Sequence, residues 1–238
     1  YTKYTNLSSL NPQESFFDDI TFLIKNLKNK LQIEGYFSNR TISAREKEKE
    51  ATQIVYAYLI QFILYKTLVD NEFGEFSQEY PEYLNKITEY IKNDRFKEIF
   101  AIIDNISNKI SANVYRPFKS EQSVIFDKIM EVYRKPINKL SDISPWLDIF
   151  VFIKKYNFKN IQNEIFGYIY ENYLKEIFSD EEKGQYFTDP SVVNFMIKQI
   201  GYTANLIKSE IKSKNEDKLS LIDPSCGSGT FLYTAVNS

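Results

Sequence analysis

The sequence predicts a mainly α protein: a multi-helix N-terminal domain over residues 1–178, then the truncated beginning of an α/β domain over residues 179–238. Three observations carry that expectation. Apolar side chains recur at helical spacing through most of the first 178 residues. Composition turns polar at Ser179-Asp180-Glu181-Glu182-Lys183-Gly184, the expected boundary. Finally, one short apolar run, Leu219, Leu221 and Ile222, leads into Asp223, Pro224 and a glycine turn.

Taken in order, Asn11-Pro12-Gln13-Glu14 has the form of a helix start, with a cap residue, Pro in the first turn and Glu three positions after the cap. Phe16, Ile20, Leu23, Leu27 and Leu31 follow at helical spacing, so a helix is predicted over 12–31, ended by Gly35. Ser43-Ala44-Arg45-Glu46 is a second capping pattern, and the alternating charges Arg45 to Glu50 suit a solvated helix face. From Ile54 to Val69 the pattern is apolar on most faces, as for the central helix of a bundle. Residues 72–78 read as a turn around Gly74, Pro81 as the start of the next helix, and Phe96 to Ile103 as another. The Asn- and Ser-rich stretch 104–120 reads as a connection. Further helices are predicted around Val124 to Val132, from Ser144-Pro145-Trp146 to Ile153, and from Ile161 to Phe178. After the boundary, Asp189-Pro190 starts a helix carrying Val192, Val193, Phe195, Met196, Ile197 and Ile200, and residues 213–218 read as a solvated loop before a short buried strand.

Composition removes several kinds of chemistry. With 43% hydrophobic and 26% charged residues the chain has the make-up of an ordinary soluble protein. A net charge of −2 supplies no global electrostatic footprint for DNA or an anionic membrane. There is no His, which excludes Ser-His-Asp and Cys-His catalysis and His-ligated metals, and a lone Cys excludes a disulfide framework and a paired-Cys metal site. No metal is expected. No long apolar run or leader pattern points to a membrane, so a cytoplasmic location is the default. The aromatic share of 16%, nearly all Phe and Tyr, reads as the bias of an AT-rich genome, with stacking on nucleic-acid bases as the sharper alternative.

The glycine turn holds the chemistry. Gly227 and Gly229 let the backbone take left-handed angles and approach a ligand closely, and a helix beginning near Thr230 directs its free N–H groups at whatever sits there. A phosphate-binding P-loop requires Lys after the second Gly, where this chain has Thr230. A dinucleotide fingerprint requires a third Gly, where it has Leu232. A turn with no ligand stays open on these residues alone.

The wider string narrows the reading. Asp223-Pro224-Ser225-Cys226-Gly227-Ser228-Gly229-Thr230-Phe231-Leu232 closely resembles the S-adenosylmethionine motif of N6-adenine DNA methyltransferases, Asp-Pro-Ala/Ser-Cys-Gly-Ser-Gly-Thr-Phe-Leu. Upstream, Gly184-Gln185-Tyr186-Phe187-Thr188-Asp189-Pro190 resembles that family's Gly-Gln-Tyr/Phe-Phe/Tyr-Thr-Pro segment, with Asp189 inserted between Thr and Pro. Gly167-Tyr168-Ile169-Tyr170-Glu171-Asn172-Tyr173-Leu174 resembles the Gly-x-Ile-Tyr-Glu-x-x-Leu helix that often precedes it. The three lie in order and cover residues 161–238.

The resemblance implies that residues 179–238 begin a Rossmann-like, S-adenosylmethionine-dependent methyltransferase domain. The whole enzyme would be a restriction–modification protein, a type I modification subunit or a type IIG-like enzyme. It would move a methyl group to the amino nitrogen of an adenine flipped out of duplex DNA. Residues 1–178 would then be a connector to specificity or nuclease subunits or domains. By the same resemblance Gln185, Tyr186, Phe187 and Thr188 border the cofactor, and Asp223, Pro224, Ser225, Cys226, Gly227, Gly229 and Thr230 form its turn. Four have a plainer alternative: Thr188 as a helix cap, Tyr186 and Phe187 as core, Asp223 as a brace of the turn. Cys226 reads as a small turn residue, since cytosine carbon-5 methyltransferases place their nucleophilic Cys after Pro in another loop. The family's catalytic string, Asn/Asp-Pro-Pro-aromatic, does not occur in residues 1–238, so these residues alone are expected to be inactive on DNA. A methyltransferase acting on RNA or protein, and a non-catalytic helical assembly module, are the rival readings.

Overall fold

A helix that is apolar nearly all round is stable in water only when other helices surround it. The computed structural model, which describes residues 12–33, 41–113, 137–159, 188–214, 220–226 and 229–237, builds its larger unit around such a helix. The chain divides into two units, residues 1–160 and 161–238. In the first, α2 (Ala44–Asp70) packs against α1 (Pro12–Ile33), α3 (Phe76–Lys92), α4 (Phe96–Asn113) and α5 (Leu140–Lys155). Ile54, Val55, Tyr58, Leu59, Phe62, Ile63 and Tyr65 of α2 are all buried.

The start of α2 follows its sequence closely. Ser43 Oγ accepts from the Glu46 N–H at 3.2 Å, and a Glu46 carboxylate oxygen accepts from the Ser43 N–H at 2.8 Å. These bonds favour the ionised carboxyl and hold it below its ordinary range. By length and composition α2 is long and apolar enough to cross a bilayer, and 61% of its apolar window is buried inside the protein, as for a core helix.

The aromatic residues go largely to this core. Trp146 of α5 stands edge-on to Tyr58 with ring centroids 5.0 Å apart, and the Tyr58 hydroxyl donates to the Trp146 carbonyl at 3.0 Å. Phe62 meets Phe150 at 5.2 Å, and Phe16 of α1 meets Phe152 at 5.3 Å. Burial pushes the Tyr58, Tyr65 and Tyr80 phenols well above their usual range, because phenolate would have to shed its water.

Two helices begin earlier than their prolines suggest. Pro81 is the sixth residue of α3 and Pro145 the sixth of α5, so neither opens its helix. Upstream packing outweighs the lost backbone bond: Phe76 and Tyr80 both stack against Tyr65, at 5.9 and 6.0 Å. In α5, Pro145 has no N–H for the Ser141 carbonyl four residues back, and Lys30 Nζ of α1 donates to that oxygen instead at 3.0 Å. Asp142 closes the start of α5 by accepting from the N–H groups of Asn138 and Lys139. Likewise, 104–113 is helix rather than connection. Ile106 and Ile110 continue the buried row of Ile99 and Ile103, and the buried Ser107 hydroxyl donates to Gln61 Oε1 at 2.6 Å.

The helices also close alike. After α2 the N–H of Phe73 reaches the Leu68 carbonyl and that of Glu72 the Val69 carbonyl; after α3 Arg95 and Asp94 repeat the pattern to Tyr90 and Ile91. Glu72 and Asp94 hold the left-handed position, at φ of 55° and 53°.

The second unit contains α6 (Pro190–Gln199), α7 (Ala204–Lys214) and α8 (Thr230–Val236). Its buried cluster is Val193, Ile197 and Ala235, with Tyr202 and Phe231 packed against it. The sequence pattern does not announce α7, whose apolar residues are too few for a clear stripe. The expected buried strand does not form: no strand occurs among the described residues, and Leu221 and Ile222 are 44% and 83% exposed. A strand exists only through pairing, and 220–223 has no strand beside it among the described residues. The Rossmann-like sheet is thus not seen here. The helices expected around 124–132 and 161–178, the Gly35 stop and the polar boundary at 179–184 lie outside the described residues.

Candidate cofactor site

The segment leading into α6 and the turn leading into α8 are forty residues apart in sequence, and their helices pack on each other through Val193, Ile197 and Ala235. Of the upstream candidates, Gln185, Tyr186 and Phe187 lie outside the described residues. Thr188 is exposed. The cap of α6 is Asp189: its Oδ1 accepts from the Ser191 N–H at 2.8 Å and also pairs with the Ser191 hydroxyl. These bonds hold the Asp189 carboxyl below its usual range. Pro190 then fills the first helical position, where a missing N–H costs nothing. The residue that departs from the Thr-Pro pattern is therefore the one that starts the helix, and the capping alternative for Thr188 falls away.

At the far end α6 closes on Gly201 at φ 76°, with Tyr202 N–H bound to the Ile197 carbonyl at 3.2 Å. That bond brings the Tyr202 ring over the small core.

The glycine turn is built by short-range bonds. Asp223 Oδ1 accepts from the Ser225 N–H at 3.0 Å, a side-chain brace across Pro224. Asp223 Oδ2 is buried and has no hydrogen-bond partner among the described residues. Pro224, Ser225 and Cys226 are exposed. The Cys226 carbonyl accepts from the Gly229 N–H at 2.6 Å, so that donor is already used within the turn. Gly229 stands at φ 84°, ψ 16° and is the cap of α8, its carbonyl accepting from the Tyr233 N–H at 2.9 Å. An added Cβ there would meet no atom within 4 Å, so Gly is required by backbone angle rather than by space. Thr230 is half-buried at the first helical position, and Gly227 lies outside the described residues.

The helix start expected at Asp189-Pro190 is borne out, with Asp189 as the cap residue. Among the described residues no group of three or more His, Cys, Asp or Glu could hold a metal ion. Asp223 Oδ2, a buried acceptor with no partner among the described residues, suits a ligand group that donates hydrogen bonds.

Residues 161–238 match the model of a family described as N-6 DNA methylase. No curated protein and no solved structure matches the chain. The matched third contains both helices and both flanking segments, and it is similar to N-6 DNA methylases, which supports an adenine DNA methyltransferase relationship for this part of the chain.

Proposed function

We propose that residues 161–238 form the S-adenosylmethionine-binding side of a DNA adenine N6-methyltransferase belonging to a restriction–modification system, and that residues 1–160 connect it to DNA-specificity or nuclease subunits or domains. The observation that carries the reading is the match to N-6 DNA methylases over a stretch that contains both the Gly-Gln-Tyr-Phe-Thr segment and the Asp-Pro-Ser-Cys-Gly-Ser-Gly-Thr turn.

The residues present fit that cofactor's amino-acid end. Asp223 Oδ2, without a partner among the described residues, would accept from the ammonium group, while Oδ1 is tied to the Ser225 N–H. The left-handed Gly229 keeps the turn free of side chain. Bound S-adenosylmethionine would supply an electrophilic methyl group on a sulfonium. The residues of this chain would hold the amino-acid end of that cofactor, and no Asn/Asp-Pro-Pro-aromatic string occurs in residues 1–238.

Calorimetric titration of S-adenosylmethionine into the protein, beside a Gly229→Val variant, tests the reading. Saturable binding that Gly229→Val weakens by about tenfold or more, through the cost of a β-branched residue at positive φ, supports it. Binding that ignores Gly229→Val removes the turn from the site. Methyl transfer to DNA by residues 1–238 alone would show that another segment supplies the chemistry.

A further inference from the structure

Charged side chains are seldom buried without a task, and the first unit buries Lys66 in an ion pair beside its exit. Lys66, 6% exposed, lies one turn before Asp70 at the end of α2, and its ammonium reaches both carboxylate oxygens at 2.5 and 2.6 Å. The bonds of this pair continue beyond α2. Lys66 Nζ donates to the Tyr156 carbonyl at 3.1 Å, and Asp70 Oδ2 accepts from the Phe158 N–H at 2.6 Å. Tyr156 is the extended residue that ends α5. Two neighbouring peptide groups of the outgoing backbone, one through its carbonyl and the next through its N–H, thus end on opposite members of a single ion pair. The Lys66 ammonium also lies 5.7 Å from the Tyr80 ring and 5.8 Å from the Phe158 ring, which lessens its desolvation cost. The Phe158 ring is 1% exposed and meets Phe16 and Phe152.

Unit 1 ends two residues later, at Asn160. We infer that Lys66 and Asp70 act as a clasp that fixes the exit of the helical unit, so that the following unit is carried from a fixed point at the end of α2 rather than from a frayed end of α5. The physical ground is that a hydrophobic pair of similar volume would serve packing equally well. What it could not do is satisfy the Tyr156 carbonyl and the Phe158 N–H. The inference does not rest on the methyltransferase reading, since it concerns the exit whatever unit follows.

Amide hydrogen exchange on the full chain tests it, comparing the native protein with Asp70→Ala and with the double variant Lys66→Met, Asp70→Leu. The double variant keeps the site filled and removes the two side-chain bonds to the exit backbone, at the Tyr156 carbonyl and the Phe158 N–H. The expected result is that the Phe158 amide exchanges at least about tenfold faster in both variants, while amides of Ile63 in α2 and Ile149 in α5 keep their protection. If Asp70→Ala does not fold, the double variant carries the same expectation alone. Unchanged protection at Phe158 in the double variant would overturn the clasp, because ring packing would then hold the exit. Equal acceleration at Phe158, Ile63 and Ile149 would also overturn it, since the pair would then serve only the stability of the whole unit.

Discussion

Helices α2, α3 and α6 close in one hydrogen-bonding pattern, but they do so with different residues at the left-handed position. The helical unit places Glu72 and Asp94 there, whereas the C-terminal unit places Gly201. A side chain at positive φ is strained by about 1 kcal/mol, which survives only where the surroundings over-determine the backbone. In the helical unit they do: α2 is enclosed by four helices and its aromatic residues interlock. Among the described residues the cluster of α6 and α8 has Val193, Ile197 and Ala235 buried within it, and glycine holds the left-handed positions at Gly201 and Gly229. One unit is held by its interior, the other by its turns.

The largest effect expected is from Trp146→Ala. Removing a fully buried indole should cost the helical unit about 3–5 kcal/mol in denaturant unfolding. The methyl NMR signals of Val193 and Ile197 should stay in place, and their loss at the same denaturant concentration would dissolve the distinction between the units. Ile197→Ala attacks the other side. It should cost about 2 kcal/mol, the low end for such a truncation because the cluster is small, read as faster amide exchange in α6.

Ser43→Ala should cost about 1 kcal/mol through the lost cap of α2. It should also change the acid limb. The folded Glu46 carboxyl lies below its ordinary value of 4.5, so its contribution is complete above that value and is lost as pH falls through the lowered one. The variant should therefore lose stability less steeply below pH 4.5, as followed by helical circular dichroism across an acid titration. The smallest effects sharpen the comparison most directly. Glu72→Gly and Asp94→Gly should each stabilise by under about 1 kcal/mol, and Gly201→Ala should destabilise by a similar amount. Thermal midpoints would reveal the signs, and stabilisation by Gly201→Ala would contradict the account of the turns.

Much of the helical unit was legible because its signals are local. The Ser43–Glu46 box, the Pro12 and Asp189-Pro190 starts and the all-round apolar α2 each need only neighbouring residues to be recognised. Pro81 and Pro145 misled because what tolerates them is tertiary: Tyr65 beside one helix, Lys30 beside the other. Residues 104–113 misled because Ser107 and Asn113 suggest a connection until Gln61 is found opposite. The strand over 219–222 failed for a different reason, since apolar character alone supplies no pairing partner. At the candidate site the turn-forming roles of Asp223 and Gly229 follow from residue type, but the cap fell to Asp189, and Gln185 to Phe187 lie outside the described residues.

The bond that Pro145 surrenders has a consequence for how α1 and α5 are aligned. Lys30 reaches the Ser141 carbonyl near one end of this antiparallel pair. Near the other, Asp19 takes Lys155 at 2.5 Å and the Tyr156 hydroxyl at 2.6 Å. The two attachments stand roughly 16 Å apart along α1. Between them the interface is largely Ile, Leu and Phe, whose non-directional attraction marks a slip of one turn less sharply than a hydrogen bond does. Such a slip would break both attachments at once. The proline, by leaving a carbonyl for a neighbour to read, turns a greasy contact into a vernier with a single setting.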